Sequence, residues 1–279
     1  MEQSENVTLP TPEEVDSSTD VIYDFFEGAR RVVGLPNNLA VKYGQTIDVD
    51  EAKVTAFVGR HTSIPVPTIV GTYSHNKKNY IVMTRIKGTP LSECLSSLSQ
   101  EQIESITKDL ARYLNELRSL KVEEFEGRSY IGSPGFGSVK GKMLQSGTRE
   151  RGPFATVSEF HGNICSRFWD AISWADRRNE QQDWNMHLLR RMYAENSDYK
   201  IVFCHGDLHP SNILVDDGRV VGILDWQRAG WYPEYWEYVS CMFGGGEFYR
   251  TPWLWCVEKV LESHDYIRLI ELPIRQLLS

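Results

Sequence analysis

A chain of 279 residues holds one large domain or two lobes around a cleft, at roughly 150 residues per domain. Its 41% hydrophobic and 24% charged residues, with 21 Gly and 12 Pro, exclude collagen-like, low-complexity and wholly disordered chains. A net charge of −8 repels nucleic acid and anionic lipid, so neither nucleic acid nor membrane is expected as a partner; the five scattered Cys and the lack of a long apolar run or apolar leader place the chain in the cytoplasm.

Residues 1–19 are rich in Glu, Ser, Thr and Pro and read as a flexible tail. Val32-Val33-Gly34-Leu35 and Leu39-Ala40-Val41-Lys42-Tyr43 flank Pro36-Asn37-Asn38, the pattern of a β-hairpin. Asp48 or Asp50 can cap a helix whose Val54, Phe57 and Val58 recur at helical spacing, with Gly59 near its end. Pro65 and Pro67 force extended chain, and Tyr80-Ile81-Val82-Met83 is a strand that stops between Thr84 and Gly88. Ile103, Ile106, Leu110, Leu114 and Leu117 mark one face of a helix of about five turns. Residues 127–153, rich in Gly and Ser, form a long loop of the kind that borders binding clefts. Helical patterns resume from Val157 to Trp174, from Trp184 to Tyr193 and from Trp253 to Leu278. Between the last two lies a short buried strand, Lys200 to Cys204, then a polar stretch that Pro210 keeps from being helical. Ile213-Leu214-Val215 and Val220 to Leu224, joined by Asp216-Asp217-Gly218-Arg219, form a second hairpin.

Three polar residues stand where these strands end: Asp207, Asn212 and Asp225. A strand, a loop bearing Asp-x-x-x-x-Asn, a hairpin and a further Asp is the order kinases use around a metal–nucleotide complex. Mg²⁺ prefers oxygen ligands, and the amide oxygen of Asn212 and the carboxylate of Asp225 suit it. Asp207 is left to take or aim the acceptor hydroxyl's proton.

His205-Gly206-Asp207-Leu208-His209-Pro210-Ser211-Asn212 followed by Ile223-Leu224-Asp225-Trp226 closely resembles the aminoglycoside phosphotransferase-like family. Thr62 to Pro67 and Gly230 to Glu237 resemble its fungal-type branch. The resemblance implies an α+β, two-lobed protein-kinase-like fold. A small antiparallel-sheet N-lobe would span 20–86 and a larger, mainly helical C-lobe 87–279. It also implies Asp207 as the catalytic aspartate, Asn212 and Asp225 as Mg²⁺ ligands, ATP as phosphoryl donor and a small-molecule hydroxyl as acceptor. Lys42 resembles the family's strand lysine that meets the phosphates, and Glu51, nine residues on, is its expected partner. Met83 would line the adenine pocket and the backbone of Thr84 to Ile86 would bond the base.

No G-x-G-x-x-G precedes the first hairpin, where Gly28 and Gly34 stand alone, and Trp226-Gln227 replaces the Phe-Gly that protein kinases carry. An inactive nucleotide-binding or interaction module, or a protein kinase, is the alternative. Pro210 denies His205 and His209 a shared helical face for zinc, so His205 is expected to brace the loop. Trp231, Tyr232, Tyr235 and Trp236 read as core, while Glu234 and Glu237 are the candidates for attracting an amine-bearing substrate.

Overall fold

Turn and cap chemistry lays down the amino-terminal half. The computed structural model describes residues 8–25, 29–121, 124–125, 127–140, 151–174, 180–195, 198–241 and 250–264. The Thr11 hydroxyl accepts the Glu14 N–H and the Glu14 carboxylate accepts the Thr11 N–H, a capping box that opens α1 (Pro12–Asp16). Val15 on α1 is 0% exposed among Val33, Val41, Tyr43, Tyr80 and Val82. Leu9 packs over Gly71, where a Cβ would come within 2.8 Å of its methyl group. The expected flexible tail is therefore corrected for residues 8–19: two apolar side chains in a polar stretch anchor it to the sheet. Residues 1–7 lie outside the described residues.

The sheet holds β1 (Val21–Phe25), β2 (Arg30–Leu35), β3 (Leu39–Gly44), β4 (Ile69–His75) and β5 (Lys78–Thr84) in the order β1-β2-β3-β5-β4, every pair antiparallel. Asn37 and Asn38 both take positive φ (62° and 59°), as a tight hairpin turn between β2 and β3 requires and Asn tolerates. Asn76 and Lys77 (φ 46° and 62°) do the same between β4 and β5. Between β3 and β4 runs α2 (Asp50–His61). The Asp48 carboxylate accepts the Asp50 N–H at 3.0 Å, and Asp50 and Glu51 sit in the first turn, where the helix dipole favours acids. Val54 and Val58 are buried, as the periodicity predicts.

The second half is mainly helical. β6 (Thr89–Pro90) and α3 (Leu91–Cys94) lead into α4 (Gln100–Ser119), opened by a capping box between Ser99 and Gln102. α4 buries Ile106, Leu110, Leu114 and Leu117 of the expected stripe. A small ribbon, β7 (Glu124–Phe125) with β8 (Arg128–Ser129), precedes α5 (Val157–Trp174) and α6 (Glu180–Glu195). Within the long loop, Ile131 bridges Phe154 and Gly132 bridges Trp231, which ties it to the core; residues 141–150 lie outside the described residues.

β9 (Ile201–Cys204), β10 (Ile213–Asp216), β11 (Arg219–Ile223) and β12 (Gly230–Pro233) follow. β10 and β11 form the expected hairpin, and β12 runs back along β9 with Gly230 opposite Cys204 and Pro233 opposite Ile201. Trp231, Tyr232, Tyr235 and Trp236 are core, the last opening α7 (Trp236–Cys241). The helix expected from Trp253 to Leu278 is corrected: α8 (Arg250–Val260) starts earlier and stops at Val260, while residues 265–279 lie outside the described residues. Among the described residues, no helix is long and apolar enough to cross a membrane.

Candidate active site

Lys42 projects from β3 toward α2, and a strand end, the turn at Gly44 and the first helical turn bring Glu51 to it. Its Nζ lies 2.8 and 2.7 Å from the two Glu51 oxygens and 2.9 Å from Oδ1 of Asp225. Lys42 is only 6% exposed. Burial alone pushes its ammonium down, but Glu51 and Asp225 outweigh burial and hold it above the ordinary lysine value. Burial pushes the Glu51 carboxyl up to about 7 against the pull of Lys42. Asp225 stays below the usual carboxylate range, because Lys42 and then Arg30 overcome the opposing effect of burial.

The other wall of the cleft is the loop after β9. Gly206 has φ +75°, and a Cβ there would come within 2.6 Å of the Arg228 carbonyl oxygen, so only glycine lets the two turns touch. Fully buried His205 donates from Nε2 to the Leu224 carbonyl at 2.9 Å and accepts the Asp207 N–H on Nδ1 at 3.2 Å. Burial lowers its pKa, which favours the neutral ring that these two partners require. Both ring nitrogens are thereby spent on the backbone, and His205 is not a zinc ligand.

Asp207 faces Arg228, Oδ1 to Nη1 at 2.7 Å. Asn212, closing a 3₁₀ turn that begins at Pro210, donates its amide nitrogen to the Asp207 carbonyl at 2.9 Å. The Leu224 N–H donates to the Asn212 carbonyl at 2.9 Å. Asn212 and Asp225 therefore emerge from the same open end of the β10–β11 hairpin. Asp225 sits in the left-handed region (φ 63°, ψ 59°), a costly backbone state that turns its side chain out of strand geometry toward Lys42. The donor set fits a hard divalent cation: the Asn212 nitrogen is engaged, which leaves its oxygen, and Asp225 adds a carboxylate.

The linker after β5 departs from expectation in detail. The Thr84 N–H donates to the Thr68 carbonyl and the Arg85 N–H to the Asn38 carbonyl, so neither is open to a base. Ile86 has no such backbone bond among the described residues. Met83 packs with Ile81 and Ala52 on the cleft side of the sheet.

Glu234 and Glu237 are not brought to the cleft. Glu237 is 1% exposed beneath the loop, where its carboxylate accepts the His205 N–H at 2.5 Å and the Gly206 N–H at 3.3 Å. Burial pushes its carboxyl up to about 7. Glu234 follows β12 at the end remote from Gly230, and its carboxylate accepts the Lys200 N–H at 3.2 Å. Four strand residues at ~3.3 Å each put it roughly 13 Å from the loop. The sequence makes both acids candidates for a substrate amine, and only the pairing of β9 with β12 reveals where they go.

Two residues of the cleft carry no such expectation. Arg228 reaches Asp207 through the turn after Asp225, and Arg30 places Nη1 4.0 Å from Asp225 Oδ2 while Nη2 donates to Gln227 Oε1 at 3.2 Å. A cavity of about 440 Å³ opens between α2 and residues 133–140, lined by Asp48, Phe57, Ser138, Lys140 and Gln227 among others. Glu51 is among its lining residues and Asp207 is not.

The comparisons with known proteins converge. The chain is 22% identical over 185 residues to an aminoglycoside 3′-phosphotransferase of Acinetobacter baumannii, covering 66% of this chain and 61% of that protein. It is 27% identical over 186 residues to the aminoglycoside 3′-phosphotransferase of Streptomyces fradiae, covering 64% and 58%. It thus spans about three fifths of the length of these two relatives. A thermostable mutant of aminoglycoside phosphotransferase APH(4)-Ia, solved in ternary complex with ADP and hygromycin B, superposes with a TM-score of 0.58 at 17% identity, over 95% of this chain and 82% of that one. The fold is the kinase-like fold of these enzymes. Residues 49–258, which hold Glu51, the Asp207 loop and Asp225, match the model of the phosphotransferase enzyme family, and the chain belongs to that family.

Proposed function

We propose that the chain is an ATP- and magnesium-dependent phosphotransferase that moves the γ-phosphoryl group to a hydroxyl of a small molecule. One observation carries this reading: the buried Lys42–Glu51 pair, from the sheet and α2, meets the half-buried Asp225 beyond the β10–β11 hairpin, so both walls of the cleft meet at the group suited to hold phosphates. Family membership and a structural relative solved with ADP support it.

The Lys42 ammonium binds phosphate oxygens, and Glu51 fixes where it points. Met83 lines the base pocket, and the Thr84–Ile86 linker offers the base the Ile86 N–H. The oxygens of Asn212 and Asp225 hold Mg²⁺, which neutralises phosphate charge when bound. Asp207 orients the acceptor hydroxyl and takes its proton as the new oxygen–phosphorus bond forms and the bond from γ-phosphorus to the ADP oxygen breaks. His205 braces this loop. The Thr62–Pro67 and Gly230–Glu237 segments favour the fungal-type branch. Only a short 3₁₀ turn separates Asp225 from β12, which leaves little chain to organise a peptide acceptor.

The test is a metabolite extract incubated with the protein, Mg²⁺ and ATP, followed by mass spectrometry. The expected result is a small alcohol that gains one phosphoryl group with the wild type and not with Asp207→Asn. No such product alongside tight Mg·ATP binding would replace this reading with the inactive nucleotide-binding module.

A further inference from the structure

The strand register places three side chains over the cleft where a glycine-rich turn would otherwise stand. Tyr23 lies opposite Val32, Phe25 opposite Arg30, and Val32 opposite Lys42. Residues directly opposite one another in an antiparallel pair share a face, and alternate residues of one strand do too. Tyr23, Phe25, Arg30, Val32 and Lys42 therefore all point to the Lys42 side. The reverse face is closed, because Val33, Val41 and Tyr43 pack under Val15. On the Lys42 side Tyr23 and Phe25 stack, ring centroids 6.5 Å apart at 7°, yet each remains 48% exposed. Two large rings stacked on the cleft side, each about half exposed, form a surface suited to another flat ring.

Arg30 extends this lip to the phosphates' end of the cleft. At 4.0 Å its contact with Asp225 is too long for a hydrogen bond, while Lys42 already binds the other oxygen of that carboxylate at 2.9 Å. Among the described residues, Arg30 is thus a guanidinium beside the Asp225 carboxylate whose side-chain hydrogen bond goes to Gln227. Its planar fork matches a phosphate group. A glycine-rich turn works by bringing bare backbone N–H groups against phosphates, and a charged fork reaches the same oxygens from further away.

We propose that the β1–β2 lip grips the nucleoside triphosphate through side chains in place of a glycine-rich turn, with Tyr23 and Phe25 covering the nucleoside and Arg30 neutralising the phosphates. This deepens the phosphotransferase reading and rests on it. Arg30 then discriminates by charge, and the aromatic pair acts on nucleoside and nucleotide alike.

Calorimetric titration of the full chain with Mg·ATP, Mg·ADP and adenosine separates the parts. Arg30→Met is expected to weaken Mg·ATP by about 10- to 100-fold, the loss of a charge-assisted hydrogen bond, with Mg·ADP less affected and adenosine unchanged. Arg30→Lys recovers part of that loss. Tyr23→Ala is expected to weaken all three ligands by a similar factor, about 10-fold for a lost aromatic stack. Wild-type affinity for Mg·ATP in both Arg30→Met and Tyr23→Ala overturns the lip and leaves the phosphotransferase reading intact. Failure of the folded wild type to bind Mg·ATP overturns both.

Discussion

The two walls of the cleft hold their charges in opposite ways. Around Lys42 three oxygens from two carboxylates converge on one ammonium that solvent scarcely reaches. At Asp207 one carboxylate meets one guanidinium, and the Arg228 side chain is 41% exposed. A buried cluster is organised before any ligand arrives, and removing one member strands the others at a cost of about 3–5 kcal/mol. A single pair with one partner half exposed contributes about 1 kcal/mol and can be shared with an incoming group. On the proposed function the Lys42 side is the nucleotide wall, which is part of the fold, and the Asp207 side is the acceptor wall, which is spare to it. Stability and turnover should respond separately to substitutions on the two sides.

Asp207→Asn should separate them most sharply. It is expected to lower kcat by about 10²- to 10⁴-fold, the range for losing a positioned proton acceptor, with thermal stability and Mg·ATP affinity close to wild type. Steady-state kinetics beside a melting curve check this, and a fall in Tm as large as the loss of rate would show that the acceptor wall also holds the fold. Lys42→Met attacks the other side: it leaves buried Glu51 facing half-buried Asp225 without the cation between them. A loss of about 3 kcal/mol or more in urea unfolding is expected together with loss of Mg·ATP binding.

Glu237 lies beneath the acceptor wall yet behaves like the nucleotide wall, because it is buried and bonded to the loop backbone. Its carboxyl is pushed from 4.5 up to about 7. Between those values the folded chain keeps a proton that the unfolded chain has released, so this contribution to stability is full below about 4.5 and is lost as pH rises through 7. Gln cannot titrate. The stability advantage of wild type over Glu237→Gln should shrink from pH 5 to pH 7.5, by up to about 3 kcal/mol. Measuring the difference between the two proteins cancels the opposing pull of neutral His205, whose lowered pKa makes the fold lose stability on the acid side of 6.5. An advantage that grows with pH would mean that the two loop N–H groups dominate over burial.

What the sequence shows about these walls follows the range of the forces involved. Hairpins declare themselves locally: Asn37 and Asn38 supply positive φ, and Asp217 with Gly218 does so between β10 and β11. The apolar stripe of α4 is equally local. Asp207, Asn212 and Asp225 are legible as candidates because they stand at strand ends and turns, while Lys42 and Glu51 are legible through the resemblance to the family's strand lysine. Arg228 and Arg30 are not, since an Arg beside a turn or in a strand carries no mark until the partner strand fixes its face. Val15 looks like a stray apolar residue in a polar tail, and its destination is a sheet assembled from residues 21–84. Glu237 fails for the same reason in reverse: an acid in the first turn of a helix reads as solvated, and only long-range strand pairing buries it.

Glu234 gives the smallest expected effect and the cleanest check on where the acceptor wall ends. Its carboxylate caps the Lys200 N–H at the far end of the β9–β12 pair, with roughly 13 Å of strand between it and Gly206. Over such a span an exposed charge is largely screened at physiological salt, where the Debye length is about 8 Å. Glu234→Gln should leave kcat and the acceptor KM within about two-fold of wild type, since a Gln oxygen still accepts the Lys200 N–H. A tenfold rise in acceptor KM at unchanged kcat would instead mean that the acceptor lies along β12 past the loop. The acceptor wall would then extend well beyond the Asp207–Arg228 pair, and its ease of exchange with solvent would no longer describe the whole of that side of the cleft.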